Sequence, residues 1–160
     1  VWDDYKKFTI VRDPWKRYVS FYLYNKKHGL EYRDASSNDK ETWPSSYVKQ
    51  GEACLLFLNS VSMDDKAGLK KTIQMQKPQS DFFIDDGEVL VDFFADTATL
   101  REDINSFLKT VGVNHESDIA HANKSTYEKQ YSDYYDQESI DMVAEKESLL
   151  IERFGYEYSS

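Results

Sequence analysis

The sequence predicts a three-layer α/β domain with a mostly parallel sheet. Three observations point there. Residues 7–11, in "KKFTIV", read as an interior strand: from Phe8 to Val11 every residue is β-branched or aromatic, as a strand covered on both faces requires. That run stops at Asp13-Pro14 and passes directly into helical spacing. Farther along, strand-like and helix-like stretches alternate, which is the pattern of a layered α/β domain. No internal repeat, low-complexity tract or linker interrupts the 160 residues, which read as a single domain.

In chain order, the first strand comes at once. Asp13 is a suitable N-cap for the helix that follows, and Pro14 suits its first position, where the missing N–H would be unpaired anyway. Trp15, Val19, Tyr22 and Leu23 then recur at helical spacing to about His28, with Gly29 as the stop. Residues 30–46, including "DASSNDKETWPSS", are polar and turn-rich and read as a long surface loop. A helix is predicted from about Ser46 to Ser60. The stretch "SDFFIDDGEVLVDFFAD" reads as two strands around an Asp-Gly turn. Thr99 and Glu102 form a capping box for a helix with Leu100, Ile104, Phe107, Leu108 and Val111 on one face, ending near Gly112. "IAHANKSTYEKQYSDYY" is polar and tyrosine-rich, hence irregular. A last helix begins near Asp136, buries Ile140, Val143, Leu150, Ile151 and Phe154, and stops at Gly155.

Composition narrows the function. Hydrophobic residues at 40% and aromatic residues at 15% fit a packed globule and argue against disorder. No stretch approaches the roughly 18 apolar residues of a membrane span, and no charged-then-apolar leader opens the sequence. The single cysteine, Cys54, can form neither an internal disulfide nor a cysteine-rich metal site, and in "GEACLLFLN" it reads as a small buried hydrophobe. Its isolation favours a reducing compartment.

Net charge is −9, but unevenly spread. Residues 1–33 carry eight Lys/Arg against four Asp/Glu, a balance of +4 that leaves −13 on the remainder. A globally acidic chain is a poor general binder of nucleic acid, so none is expected as a partner. A basic island inside it points to one small anionic ligand, with a solvated helix face as the alternative.

That island coincides with "FTIVRDPWKRYVSFY". A strand that ends in a tight turn and feeds a helix is a standard phosphate site, because the helix N-terminus offers unpaired N–H groups and a partial positive charge. Ligands also collect beyond the carboxyl ends of strands. Arg12 sits at that junction, where a guanidinium can grip a phosphate through two parallel hydrogen bonds, or pair with a carboxylate. Ser20, about two turns into the helix, could add a hydroxyl donor to a ligand lying along the helix flank.

This stretch resembles the 3′-phosphate-binding segment of the carbohydrate-type sulfotransferases, an apolar strand followed by V-R-D-P-x-x-R-x-x-S-x-Y. Val11, Arg12, Asp13, Pro14, Arg17, Ser20 and Tyr22 fill every fixed position. "FFIDDGEVLVDFFADTATLREDINSFLKTVGV" is similar to the family's strand and acidic helix, and "HANKSTYEKQYSDYYDQESIDMVAEKESLLIERFGYEY" resembles its C-terminal end. The resemblance implies a three-layer, P-loop-NTPase-like sulfotransferase fold, of which these residues are the C-terminal part. It implies transfer of a sulfuryl group from 3′-phosphoadenosine 5′-phosphosulfate (PAPS) to a hydroxyl of a carbohydrate or related small acceptor, with no metal. By position, Arg12 and Ser20 would hold the donor's 3′-phosphate, and Asp13 would cap the helix. Arg17 would help with the phosphate or pair with an acid. Lys124 and Ser125 lie in the loop that in such enzymes often returns to the nucleotide. The expected setting is the cytoplasm of a bacterium, with the Golgi lumen as the alternative that the glycosylation-like "NKS" at Asn123 would fit.

Such enzymes also carry a glycine-containing loop that cradles the 5′-phosphosulfate. No two of the six glycines here are closer than 17 residues, so that loop, and the catalytic base with it, is expected before Val1. His28, His115 and His121 read as ordinary surface or capping histidines. Tyr32 and Trp43 mark residues 30–46 as a candidate acceptor-side segment, or as a polar connection with a packed tryptophan. The −13 balance outside the donor segment disfavours a highly sulfated acceptor. The rival readings are a non-catalytic 3′-phosphoadenosine-binding module and a nucleotide phosphotransferase.

Overall fold

The computed structural model describes residues 4–114 and 129–159. Their elements run β1 (Phe8–Val11), α1 (Pro14–Asp34), α2 (Ser37–Thr42), α3 (Ser45–Ser60) and α4 (Asp65–Met75), then β2 (Ile84–Asp85), β3 (Glu88–Val89) and β4 (Phe93–Asp96). Helices α5 (Leu100–Thr110), α6 (Gln137–Lys146) and α7 (Ser148–Phe154) complete the chain, with 3₁₀ turns at Gln79–Phe82 and Tyr131–Tyr134. The fold is mixed α/β, mostly helical, with one small parallel sheet. None of the described helices is long and apolar enough to cross a membrane.

The chain divides into two compact units. The first gathers Val1–Pro14, Lys77–Lys124 and Lys146–Glu157, and the second gathers Trp15–Gln76, Ser125–Glu145 and Tyr158–Ser160.

In the first unit β1 lies parallel to β4, with Phe8 opposite Phe93 and Val11 opposite Asp96. Alternation along the strands sends neighbouring side chains to opposite faces. One face closes over a buried core of Val11, Phe83 and Leu150, onto which Phe94, Phe154 and Tyr156 pack. On the other, Phe107 of α5 sets its ring 4.9 Å from Phe8 and 5.5 Å from Phe93. The Asp86-Gly87 pair, both at positive φ, turns β2 back on β3 as a two-residue hairpin, the turn that the sequence signals. The second predicted strand of that region is divided: β3 pairs in the hairpin, and β4 pairs with β1.

Among the described residues, 7–11 do not stand as an interior strand. Among the described residues β4 is the sole strand paired with β1, and Phe8 and Ile10 remain 43% and 48% exposed. An apolar run shows what a strand could bury; here one aromatic residue of α5 covers that face, and only Val11 is sealed.

In the second unit α1, α3 and α4 pack around Tyr18, Val19, Tyr22, Leu58, Leu69 and Ile73, all buried. Gly29 does not stop α1, which continues to Asp34. A Cβ at Gly29 would stand 3.0 Å from the backbone of Cys54 and 2.8 Å from the Leu58 side chain, so this glycine lets α1 and α3 approach closely. Gly51 of α3 returns the contact, since a Cβ there would meet the Tyr32 ring at 2.7 Å. Residues 30–46 are likewise helical at both ends rather than one long loop. Ser36 and Asp39 build a reciprocal capping box that starts α2. Helix α4, absent from the sequence expectation, is capped by Asp64, whose carboxylate accepts from the Ala67 N–H at 2.7 Å.

Two further expectations change in detail. Helix α5 starts at Leu100 as expected, but the acid that reaches back is Asp103, which accepts from the Thr99 hydroxyl and the Asp96 N–H, each at 2.8 Å. The last predicted helix is two helices, broken at Glu147, and Gly155 ends the second in the left-handed conformation as expected.

Candidate functional site

In the first unit the site begins where β1 ends. Val11 is the last strand residue and Pro14 the first of α1, leaving Arg12 and Asp13 in the connection. Because β1 has already stopped at Val11, the Arg12 N–H and carbonyl need partners from elsewhere. Gln79 supplies both. Its Oε1 accepts from the Arg12 N–H at 3.0 Å, and its Nε2 donates to the Arg12 carbonyl at 2.8 Å. Gln79 is itself buried, and its own N–H donates at 2.9 Å to the carboxylate of Glu147, which is 1% exposed. A buried acid thus fixes the glutamine that fixes the arginine backbone.

The adjacent end of β4 is also organised. The Thr97 N–H donates to the Val11 carbonyl at 3.0 Å, continuing the ladder one step past both strands. The Asp96 carboxylate accepts from the Ala98 N–H at 2.7 Å and from the Tyr156 phenol. Burial, that hydrogen bond and the charges of Asp96 and Asp13 push the Tyr156 phenol far above its ordinary value, so it stays a donor at any working pH. The carboxyl ends of the two parallel strands therefore present Arg12, Asp13, Asp96 and Thr97 together, where open α/β sheets bind ligands.

In the second unit, α1 carries the other predicted residues. Its first turn holds no acidic residue, although the N-terminal end of a helix favours anions, and it holds Lys16 and Arg17 instead. Arg17 is 9% exposed, with its guanidinium 5.1 Å from the Tyr18 ring centroid and 5.0 Å from that of Phe21. Ser20 is half-buried one helical step of three from Arg17, on the same flank. Trp15 is held by its indole N–H on the Ile140 carbonyl and by the Tyr135 hydroxyl, which donates to the Trp15 carbonyl at 2.8 Å.

Tyr32 and Trp43 do come together. Their rings lie 6.5 Å apart, Trp43 meets Tyr47 at 5.0 Å, and Tyr47 meets His28 at 5.4 Å. Hydroxyls and carboxylates edge this row of rings: Tyr32 donates to Glu52 at 2.9 Å and Tyr47 to Glu31 at 3.0 Å. Among the described residues no three His, Cys, Asp or Glu side chains gather as a metal site needs.

Of the predicted site residues, Arg12 falls in the first unit and Arg17 and Ser20 in the second, while Lys124 and Ser125 lie outside the described residues, as do His115, His121 and Asn123. Gln79 and Glu147 were missed. Nothing marks a lone glutamine after "KP", but Glu147 had a signal. It occupies a core position in the stripe Ile140, Val143, Leu150, Phe154, where an acid is out of place unless a buried donor awaits it.

A family model described as the sulfotransferase family matches residues 1–153. No curated protein and no solved structure matches the chain.

Proposed function

We propose a donor and an acceptor class for this chain, which belongs to the sulfotransferase family. The donor is PAPS, the acceptor a hydroxyl of a neutral or weakly charged carbohydrate, and the setting the cytoplasm. The observation that carries the reading is Arg12, placed just past the end of a parallel strand with its backbone fixed on both sides by Gln79. That geometry fits a phosphate: the guanidinium departs from a held anchor at the carboxyl edge of the sheet.

Arg12 would hold the donor's 3′-phosphate, with Ser20 assigned to it by its place in the motif, Arg17 helping with the phosphate or pairing with an acid, and Lys124 and Ser125 as nucleotide-side candidates. PAPS supplies the sulfuryl group that passes to the acceptor hydroxyl. The rings of Tyr32, Trp43 and Tyr47, edged by Glu31 and Glu52, offer flat apolar faces and hydroxyl partners of the kind a sugar uses. The helices on the two faces of the β1–β4 pair support the three-layer, P-loop-like arrangement.

The runner-up is a 3′-phosphoadenosine-binding module without transfer. Calorimetric titration with adenosine 3′,5′-bisphosphate tests the site. Removing one charged hydrogen-bonding partner at Arg12→Ala is expected to cost about 1.5–3 kcal/mol, roughly ten- to a hundredfold in affinity. Unchanged affinity would sink the assignment. Radiolabelled sulfate transfer from PAPS to a panel of sugars then separates the readings: turnover supports the enzyme, and binding without turnover supports the module.

A further inference from the structure

We infer that Gln79 is a positioning residue for nucleotide binding, acting through the backbone of Arg12 and anchored in turn by Glu147. The inference rests on the assignment of Arg12 to the 3′-phosphate. Arginine grips a phosphate through a planar fork, so its grip depends on where the backbone aims the side chain. Arg12 lies outside any helix, and its N–H and carbonyl are both taken by one side chain 67 residues away. A primary amide is the side chain suited to this, since it offers an acceptor and a donor on one rigid plane. Two bonds at 3.0 and 2.8 Å, from one buried plane, fix the orientation of the peptide groups flanking the Arg12 Cα. Gln79 is held at its own backbone as well. Its main-chain N–H donates at 2.9 Å to the carboxylate of Glu147, the residue between α6 and α7, which anchors the Cα from which the amide reaches Arg12. A surface turn needs no such three-residue chain, and preorganisation of this kind is what removes ordering costs on binding.

The test separates positioning from folding. Gln79→Met keeps the volume and removes both bonds. It is expected to weaken adenosine 3′,5′-bisphosphate binding about tenfold, equivalent to about 1.4 kcal/mol, while far-ultraviolet circular dichroism stays native. The same substitution made on top of Arg12→Ala is expected to add little, because the two act through one contact. Independent losses that multiply would overturn the inference and leave Gln79 with a general structural role. A second measurement needs no variant. In the native protein, the Gln79 side-chain amide resonances are expected to shift on titration with adenosine 3′,5′-bisphosphate and to stay unmoved with adenosine 5′-phosphate. Equal response to both nucleotides, or none to either while the bisphosphate binds, would overturn it. If Arg12→Ala itself leaves bisphosphate affinity intact, the failure belongs to the donor-site assignment and not to Gln79 alone.

Discussion

Tyr22 on α1 donates a 2.7 Å hydrogen bond to the carboxylate of Asp65, the first residue of α4. The same oxygen accepts from Lys26 Nζ at 2.7 Å, and its twin accepts from Lys129 Nζ at 3.0 Å. Burial by itself pushes the Asp65 carboxyl up, but bonds from Lys26, Tyr22 and Lys129 outweigh it and hold the group at about 2, below its ordinary 3.8. A depressed carboxyl stabilises the fold fully above its unfolded value and loses that contribution as the pH falls toward its folded value. Asp65 is therefore expected to contribute about 2 kcal/mol that fades between roughly pH 4 and pH 2. Urea denaturation across that range should fall more steeply for the native chain than for Asp65→Asn. Parallel curves would dismiss the network as a stabilising one.

Gly29→Ala is expected to destabilise. Alanine gains about 1 kcal/mol in helix propensity over glycine, but overpacking costs about 1–3 kcal/mol where the neighbour cannot yield. The nearest obstruction includes the backbone of Cys54 at 3.0 Å, which has no rotamer to offer. A net loss near 1 kcal/mol in equilibrium unfolding is the expected result; a gain would mean that α1 and α3 stand farther apart than described.

The start of α5 offers a clean contrast. Asp103→Ala removes the acceptor for both the Asp96 N–H and the Thr99 hydroxyl and is expected to cost about 1–2 kcal/mol, the range of a lost cap. Glu102→Ala is expected to change stability by less than about 0.5 kcal/mol, as for an exposed residue without such bonds. Thermal unfolding of the pair checks which acid does the capping.

Arg17 is stacked on Tyr18 and Phe21, and Arg17→Lys keeps the charge while giving up the planar contact. The expected outcome is a stability loss of about 1 kcal/mol with bisphosphate affinity held within about threefold. A larger affinity loss at unchanged melting temperature would move Arg17 into direct contact with the phosphate.

Local chemistry made part of this legible. Pro14 opens α1, Gly155 closes α7 and Asp86-Gly87 turns the hairpin, because each answers to backbone conformation within a few residues. Gly29 misled for the same reason: its local meaning is a helix stop, and only the nearness of Cys54 and Leu58 gives it another. Arg12 could be named as a site residue from the strand-to-helix junction and the motif. Gln79 could not, because its role depends on a pairing across 67 positions that no periodicity announces.

The parallel pairing of β1 with β4 also carries a consequence for how the chain acquires its fold. Phe8 must find Phe93 across 85 positions, and the length-dependent part of closing such a loop is on the order of 4 kcal/mol. Helices such as α1 and α3 draw on nearer contacts, such as Gly29 with Cys54, and such local structure forms quickly. During vectorial synthesis β1 emerges before β4 and waits for it, and the anchoring of Arg12 waits longer still, since Glu147 follows both strands in the chain. The strand made before its partners is thus not set in place until the latest of them has been made.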